Sequence, residues 1–590
     1  MLKALYDYAI SHNLSLPPGF TPKTIKAYID LDSRAEDYVG IFLGDSEAVP
    51  CPDIGSLANG TDKCNALVEK LSVVFPERPT AKSVFFLDAL KSAAEAEPAL
   101  QICVSALENE EIQGHILQQL REKKVKPTDR ISFRVDGVRI VDRETVISWW
   151  REYRKQFQRQ GEEGKSLCLI TGMPTLPMST TPSVTGLRTV GGHASGDALL
   201  CFDKSAFCSY GLKQGANAPV SEEAYAAVKA GLDDLLKDAP VLAGMKFVHW
   251  YEGDVKLEED PIWTCGDFGD LGTPEEDGEP DARERELEEQ AVRRNADRLV
   301  LSARTGERDI QLGNTVYHIL LLTGVGGRVM IRRYEQGRYR QLKENLDAWN
   351  RDLELKNRSG NQLLPSCKLT ARLIRLLKPQ KSDRRPFERL GKELSGMTPA
   401  ILHAILNGGP LPDGAAVRAL QSIRSQMLTA ENENSLFFEL GLCCQWLKVW
   451  LIRNQKKGDL IVSGYNPELQ SQAYQCGALL AVYEGIQAMA YPNVNVTVVQ
   501  RYYSSAIQTP ALVLGRLSQL SVHHLRELGR TNKGLQVNYS RLLNQVASRI
   551  PWPVPSTLTL PQQAEFALGY YQMNADMSEY LKTNKAVDAK

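Results

Sequence analysis

GDALLCFDKSAFCSYGLKQGANAPVSEE, residues Gly196 to Glu223, joins a short apolar run to a long polar loop and then to the start of a helix. The run at 198–202 reads as a buried strand. After Pro219 the helix begins, with Ser221 as its N-cap and Glu222 and Glu223 in the first turn, where carboxylates favour the helix dipole. Between them lie Ser209, Tyr210, Gly211, Lys213, Gln214, Gly215 and Asn217. Glycine lets a backbone come close to a ligand, lysine meets phosphate, and Gln and Asn amides bond base edges or backbone oxygens. That mixture suits nucleic acid better than a metal or acyl chemistry; a well-capped strand-to-helix connection is the plain structural alternative.

Outward from this segment, residues 1 to about 250 read as α+β. Strands are predicted at 26–31, 38–43, 71–75, 131–135, 167–171, 198–202 and 246–250, with helices at 144–157 and 222–236. The stretch 258–280, rich in Asp, Glu, Gly and Pro, reads as a solvated insertion before a helix at 281–299. A strand pair follows at 315–322 and 328–334, with Gly324, Gly326 and Gly327 supplying the turn. Without a following lysine and helix, that G-x-G-G set is not a phosphate loop.

From about residue 342 amphipathic helices follow one another on short links. Asn466-Pro467 and Thr509-Pro510 each pair a capping residue with proline at the first helical position, and 551–555 breaks the chain before a last helix. The expected fold is therefore an α+β N-terminal region with mixed sheet and helices, followed by an all-α C-terminal helical bundle. The expected division is 1–341, a nucleic-acid-binding α+β region with an acidic insertion at 252–289; 342–463, a helical connector; and 464–590, the bundle.

The 590 residues are 43% hydrophobic and 24% charged, the composition of a folded protein, and no run of eighteen apolar residues occurs. The first ten residues carry Lys3 and Asp7 and lack a signal-peptide core, so a cytoplasmic location is expected. Eleven cysteines without a C-x-x-C pair, and eight histidines without H-E-x-x-H, predict neither a zinc site nor a disulfide framework, and no cofactor. A formal net charge of −1 hides strong segregation: residues 252–289 hold sixteen carboxylates against three cations, and 326–392 hold eighteen cations against seven carboxylates.

The stretch AFCSYGLKQGANAPVSE, residues 206–222, closely resembles the signature of the large subunit of type I-C CRISPR Cascade complexes. Similar, colinear matches run along most of the chain: Met1-Leu-Lys-Ala-Leu-Tyr6, Leu16-Pro-Pro-Gly-Phe20, the glycine-containing loop Asn59-Gly-Thr-Asp-Lys-Cys-Asn65, Arg501-Tyr-Tyr-Ser-Ser-Ala506, His523-His-Leu525 and Gln563-Ala-Glu-Phe-Ala-Leu-Gly-Tyr-Tyr-Gln572. Cys64 and Ala66 depart from the family pattern, which more often has proline and an aromatic there.

The resemblance implies a non-catalytic protein that reads the protospacer-adjacent motif (PAM) of duplex DNA, promotes strand opening and R-loop formation, and helps recruit a helicase-nuclease. Implied partners are CRISPR RNA, duplex and single-stranded target DNA, and the Cascade backbone and small subunits. Motif reading is expected in the first loop, through Asn59, Gly60, Lys63 and Asn65. Ser209, Tyr210, Lys213, Gln214 and Asn217 are expected to touch DNA or a neighbouring subunit. Arg328, Arg332, Arg333, Arg338, Arg340, Arg372, Arg375, Arg384 and Arg385 are expected to track phosphates. The bundle resembles the family's small subunit, and an internal start near Val462 would yield it separately. The competing readings are a scaffold that never touches bases, and a nuclease, which would need clustered carboxylates or a histidine site.

Overall fold

The computed structural model describes residues 1–14, 17, 19–34, 37–45, 47–157, 166–178, 180–264, 312–363, 369–378, 386–429, 433–458, 461–492, 494 and 496–588. Two compact units result, Met1–Asp238 with Gly324–Met330, and Ala239–Thr323 with Ile331–Lys590.

The first unit opens with helix α1 (Leu2–Ser11) and is built on a mixed sheet. Strand β1 (Phe20–Thr24) pairs antiparallel with β4 (Ala48–Pro52). Strands β2 (Ala27–Asp32), β3 (Asp37–Leu43), β5 (Glu69–Lys70) and β6 (Arg130–Val135) lie in the order β3-β2-β6-β5, with β7 (Val138–Arg139) on β6. Only the β2–β6 pair within that sheet is parallel. Ile29, Leu31, Ile131, Phe133 and Val135, two residues apart on their strands, share one face and one core with Phe86, Ala89, Leu90 and Ala93. Those come from α3 (Ala81–Ala96), which follows the short α2 (Leu71–Val74); Thr80 and Ser83 form its capping box. Helices α4 (Gln101–Glu108), α5 (Glu110–Glu122) and α6 (Glu144–Tyr153) complete this part, and α7 (Glu222–Lys237) ends the unit's main stretch.

Three expected strands of this unit are revised. The run 71–75 is mostly helix α2: Leu71 and Ser72 N–H groups donate to Asp129 and Pro127 carbonyls, and Phe75 N–H closes the turn onto Leu71. A short apolar run does not distinguish strand from helix by itself. At 167–171 only β8 (Ser166–Leu167) forms, paired with β9 (Pro174–Thr175), because Cys168 N–H bonds Met173 O and the chain turns back. Residues 198–202 are neither a strand nor buried; Ala198 makes a single bridge, to Arg328.

The second unit carries a sheet in the order β10-β11-β12-β13, formed by Val241–Leu242, Met245–Tyr251, Val316–Val325 and Arg328–Arg338. Gly326 and Gly327 have φ of +58° and +79°, as a two-residue hairpin turn of mirror-image type requires. Gly324 lies within β12, outside that turn. Met245, Phe247, Tyr317, Ile319 and Leu321 face a core shared with the helices. The expected acidic insertion begins inside this core: α8 (Pro261–Thr264) follows Asp260, which is 4% exposed and accepts from Tyr251 Oη at 2.5 Å and from Ile262 N–H at 2.9 Å. The expected helix at 281–299 lies outside the described residues.

The helices that follow are α9 (Tyr339–Leu353), α10 (Leu369–Ile374), α11 (Pro386–Glu393), α12 (Thr398–Asn407), α13 (Asp413–Thr429), α14 (Glu433–Gln455), α15 (Gln472–Ala490), α16 (Val498–Ala506), α17 (Pro510–Thr531), α18 (Lys533–Ala547) and α19 (Leu560–Asp588). The start of α15 is a further correction. Asn466 Oδ1 accepts from Glu468 N–H in a local turn, whereas Ser471, accepting from Tyr474 N–H, caps the helix. Helices α15 and α19 touch backbone to backbone: a Cβ on Gly477 would lie 2.0 Å from Phe566 O, and one on Gly569 would lie 2.1 Å from Tyr474 O. Among the described residues no helix is long and apolar enough to cross a membrane.

Candidate nucleic-acid interface

The loop before β5 is fastened from within. A 3-10 turn, Gly55–Asn59, is held by Lys82 Nζ donating to Ala58 O at 2.9 Å. Asn65 Oδ1 accepts from Ile54 N–H at 3.4 Å, and Asn65 N–H and Nδ2 donate to Glu69 Oε2 at 3.1 and 3.2 Å. Its amide is thereby committed to the loop's own shape. Cys64 and Ala66, the two departures from the family pattern, are 1% and 0% exposed, and burial pushes the Cys64 thiol up to about 12. Lys63 is half-buried with its ammonium 5.0 Å from the Phe157 ring centroid, an attraction between cation and ring face. Phe157 belongs to an aromatic series with Phe85, Tyr153 and Trp149. Gly60 has φ −69° and ψ −173°, extended backbone open to any residue, and forms the exposed tip with Thr61 and Asp62. The Asn59 side chain lies outside the described residues.

The second loop is built the opposite way, as a surface. From 201 to 214 every residue is exposed except the half-buried Phe202 and Cys208. Asn217 shapes it: Oδ1 accepts from Ser209 N–H at 3.0 Å, and Nδ2 donates to Gln214 O at 2.9 Å and Leu212 O at 3.4 Å. Within that frame Tyr210, Gly211 and Gln214 adopt left-handed φ of +54°, +76° and +47°. A left-handed tyrosine costs about 1 kcal/mol, and here the strain presents a ring that is 101% exposed. Phe207 and Leu212 are 46% and 42% exposed, and Lys204 and Lys213 stand among them.

Both ends of this loop are anchored. At its entry, Ala198 N–H donates to Gly327 O at 2.8 Å and Val329 N–H donates to Ala198 O at 3.0 Å, which sets Arg328 beside it with its guanidinium 5.7 Å from the Phe207 ring. At its exit, Ser221 Oγ accepts from Ala224 N–H at 3.2 Å as the predicted cap of α7, and Arg154 pairs with Glu222. Exposed rings among cations offer faces for base stacking and charges for phosphate, the two requirements of single-stranded nucleic acid.

The remaining arginines divide. Arg332 and Arg338 share one face of β13, exposed, with Arg332 Nε donating to Thr323 Oγ1 at 3.1 Å and Arg338 Nη1 to Asn314 O at 3.0 Å. Arg340 is exposed at the start of α9. Arg333 faces the other way and pairs with Glu335, which also bonds His403 Nδ1 at 2.7 Å. Arg372 is 2% exposed and bonds Gln445, and Arg375 Nε meets Glu439 at 2.7 Å, so the helical core takes both away from the surface set. Arg384 and Arg385 lie outside the described residues.

A basic layer that the sequence reading passed over lies on α16, α17 and α18. Residues 498–549 hold seven cations, Arg501, Arg516, Arg526, Arg530, Lys533, Arg541 and Arg549, against Glu527 alone. Arg501 and Arg516 both sit 5.8 Å from the Tyr502 ring, and Arg516, Arg526 and Arg530 are exposed at helical spacing along α17. A charge count over this window would have found it.

Among the described residues no group of three or more His, Cys, Asp or Glu is arranged to hold a metal ion. No curated protein matches the chain. The family described as CRISPR-associated protein (Cas_Csd1) matches residues 2–578 and takes in both units, the exposed loop and the basic helical layer. The chain belongs to the Cas_Csd1 family of CRISPR-associated proteins.

Proposed function

We propose that this chain is the large, non-catalytic subunit of a type I-C Cascade complex, acting in the cytoplasm in antiviral defence. It binds target DNA beside the PAM, promotes strand opening and R-loop formation around the CRISPR RNA, and helps recruit a helicase-nuclease. The observation that carries the reading is the loop at 201–217, where Tyr210 is fully exposed in a left-handed conformation among Phe207, Lys204, Lys213 and Arg328. Stacking a base on such a ring contributes roughly 1–3 kcal/mol, and each phosphate neutralised adds affinity that salt removes. Base pairing to the guide reads the target, and protein groups read the short motif. In this reading Asn59, Gly60 and Lys63 of the first loop read the groove, and Arg332, Arg338, Arg340 and the layer on α16–α18 supply cation surface for the displaced or guide strand.

A scaffold role is the second reading, favoured by one observation: Asn65 and Asn217 both direct their amides into their own loops. The deciding experiment measures binding of the assembled complex, with guide RNA, to duplexes carrying a randomised flanking motif. Lys63→Ala is expected to flatten motif preference with assembly intact. Tyr210→Ala with Lys213→Ala is expected to weaken target binding about 10- to 100-fold, and to lower the salt dependence by about one phosphate. Unchanged binding in both variants would establish the scaffold.

A further inference from the structure

Among the described residues nine cysteines occur and seven of them are buried; only Cys201, exposed, and Cys208, half-buried, reach solvent. Both lie in the exposed loop, on either side of a 3-10 turn at Ser205–Phe207. Accessible thiols are the ones that react, so the protein's thiol chemistry is gathered beside Tyr210.

The two thiols close on the same three residues. Cys201 Sγ donates to Asp203 Oδ1 at 3.5 Å, and Cys208 Sγ reaches back across the turn to Lys204 O at 3.7 Å and Phe202 O at 3.9 Å. Phe202 O is one peptide unit from Cys201 Cα, so Cys208 Sγ stands within about 10 Å of that atom. A disulfide joins cysteines whose Cα atoms are roughly 4.4–6.8 Å apart, and this turn can adjust to that span without breaking a sheet or a helix. Among the described residues the backbone of 201–208 bonds only to itself, through Phe207 N–H to Lys204 O at 2.9 Å and Cys208 N–H to Ser205 O at 3.0 Å.

We propose that Cys201 and Cys208 are a reversible thiol switch on the nucleic-acid loop: a small-molecule disulfide oxidises them to an intramolecular bond, and the bond weakens target binding. The second half rests on the function proposed above. Cys201, the more exposed, attacks the small disulfide R–S–S–R as its thiolate; a mixed disulfide forms, and one RSH leaves with the proton that Cys201 gave up. Cys208 then attacks Cys201 Sγ, the ring closes, and a second RSH leaves with the Cys208 proton. Two cysteine thiols are oxidised and one small disulfide is reduced to two thiols. A pair in an exposed loop, away from any core, suits the transient, redox-sensing use of disulfides rather than a bridge that holds a fold together.

The link to binding is positional. Ser209 follows Cys208 and donates its N–H to Asn217 Oδ1 at 3.0 Å, and Tyr210 comes next at φ +54°. Phe207 precedes Cys208 and has the Arg328 guanidinium 5.7 Å from its ring. Drawing Cys208 toward Cys201 therefore pulls on both neighbours that shape the stacking surface.

The test begins with the full chain, reduced and then incubated with oxidised glutathione. Trypsin cuts after Arg188, Lys204 and Lys213, so the bond joins peptides 189–204 and 205–213 into one species lighter by two hydrogens than their sum. That species is the expected product. Separate peptides, each free or carrying glutathione, or a bond from either cysteine to another one, overturn the inference. The second step uses the complex assembled with guide RNA from reduced or oxidised chain. Oxidation is expected to weaken target binding at least fivefold, dithiothreitol to restore it, and Cys208→Ser to bind like the reduced natural chain with or without oxidant. Equal binding by the oxidised and reduced natural chain, or the same loss in Cys208→Ser, overturns the switch. If the reduced natural chain enters no guide-RNA complex, the functional reading falls and the effect on binding with it, whereas the peptide map still decides the bond.

Discussion

The segments Phe566–Tyr571 and Ser209–Gly215 look alike as sequence, each with a glycine between a leucine and a tyrosine, yet they end in opposite environments. In FALGYY, Phe566, Ala567, Leu568, Tyr570 and Tyr571 are all at most 3% exposed, and Gly569 exists because a Cβ there would meet Tyr474 O at 2.1 Å. In SYGLKQG, Tyr210 is 101% exposed and Gly211, at φ +76°, has open space around its missing Cβ. The first pattern records how two helices pack. The second records a backbone bent to hold side chains away from the protein, which packing alone does not require. A recurring motif therefore points to a contact with another molecule only when its side chains are not already used inside.

The largest expected effect lies on the packed side. Gly569→Ala forces its methyl group into the Tyr474 carbonyl, and α15 and α19 must separate; a loss of about 3 kcal/mol in urea unfolding is expected. A loss below about 0.5 kcal/mol would break the comparison, because the glycine would then not be a packing residue. Next is Lys448, 3% exposed on α14, whose ammonium donates to Asp352 O at 2.9 Å. Burial lowers its pKa from 10.5 to about 8, against the opposing pull of Asp352 and Glu354. Between those values the unfolded chain binds more protons than the folded one, so this group's contribution to stability rises with pH across the window. Relative to Lys448→Met, the natural chain should gain about 2 kcal/mol from pH 8 to pH 10.5. A flat difference would place Lys448 in solvent.

On the exposed side, Asn217→Ala removes the side chain that bonds Ser209, Leu212 and Gln214. Target binding should weaken by about 1 kcal/mol while the melting temperature stays within a degree or two, since the loop's root is anchored separately at Ser221 and Glu222. A large fall in melting temperature would mean that the loop packs after all. The smallest perturbation is chemical: brief alkylation of the native chain should label Cys201, which is exposed, and leave Cys443 and Cys444 untouched, both being at most 2% exposed with burial raising their thiol pKa values. Peptide mapping that finds equal labelling would erase the contrast.

Much of the architecture was legible because long periodic patterns carry their own evidence. The helices around Trp149 and Trp150, the capped α7 and the glycine hairpin were read from spacing and turn chemistry alone. Short apolar runs were not, and 71–75 and 198–202 illustrate why: whether such a run becomes strand, helix or surface depends on which backbone partners arrive from distant sequence. The same limit applies to site residues. Composition marked the 59–65 and 209–217 loops as polar and glycine-containing, but the inward turn of Asn65 is set by Glu69, and the burial of Arg372 by Gln445 and the core around it.

The sequence by itself determined the order of an α+β region before a helical one, the segregation of charge and the Cas_Csd1 family. Tertiary structure alone decided which of the polar side chains face outward. Hydrogen-bonding capacity is written in a residue's chemistry, but whether it is satisfied inside the protein depends on neighbours that only folding brings within about 3 Å.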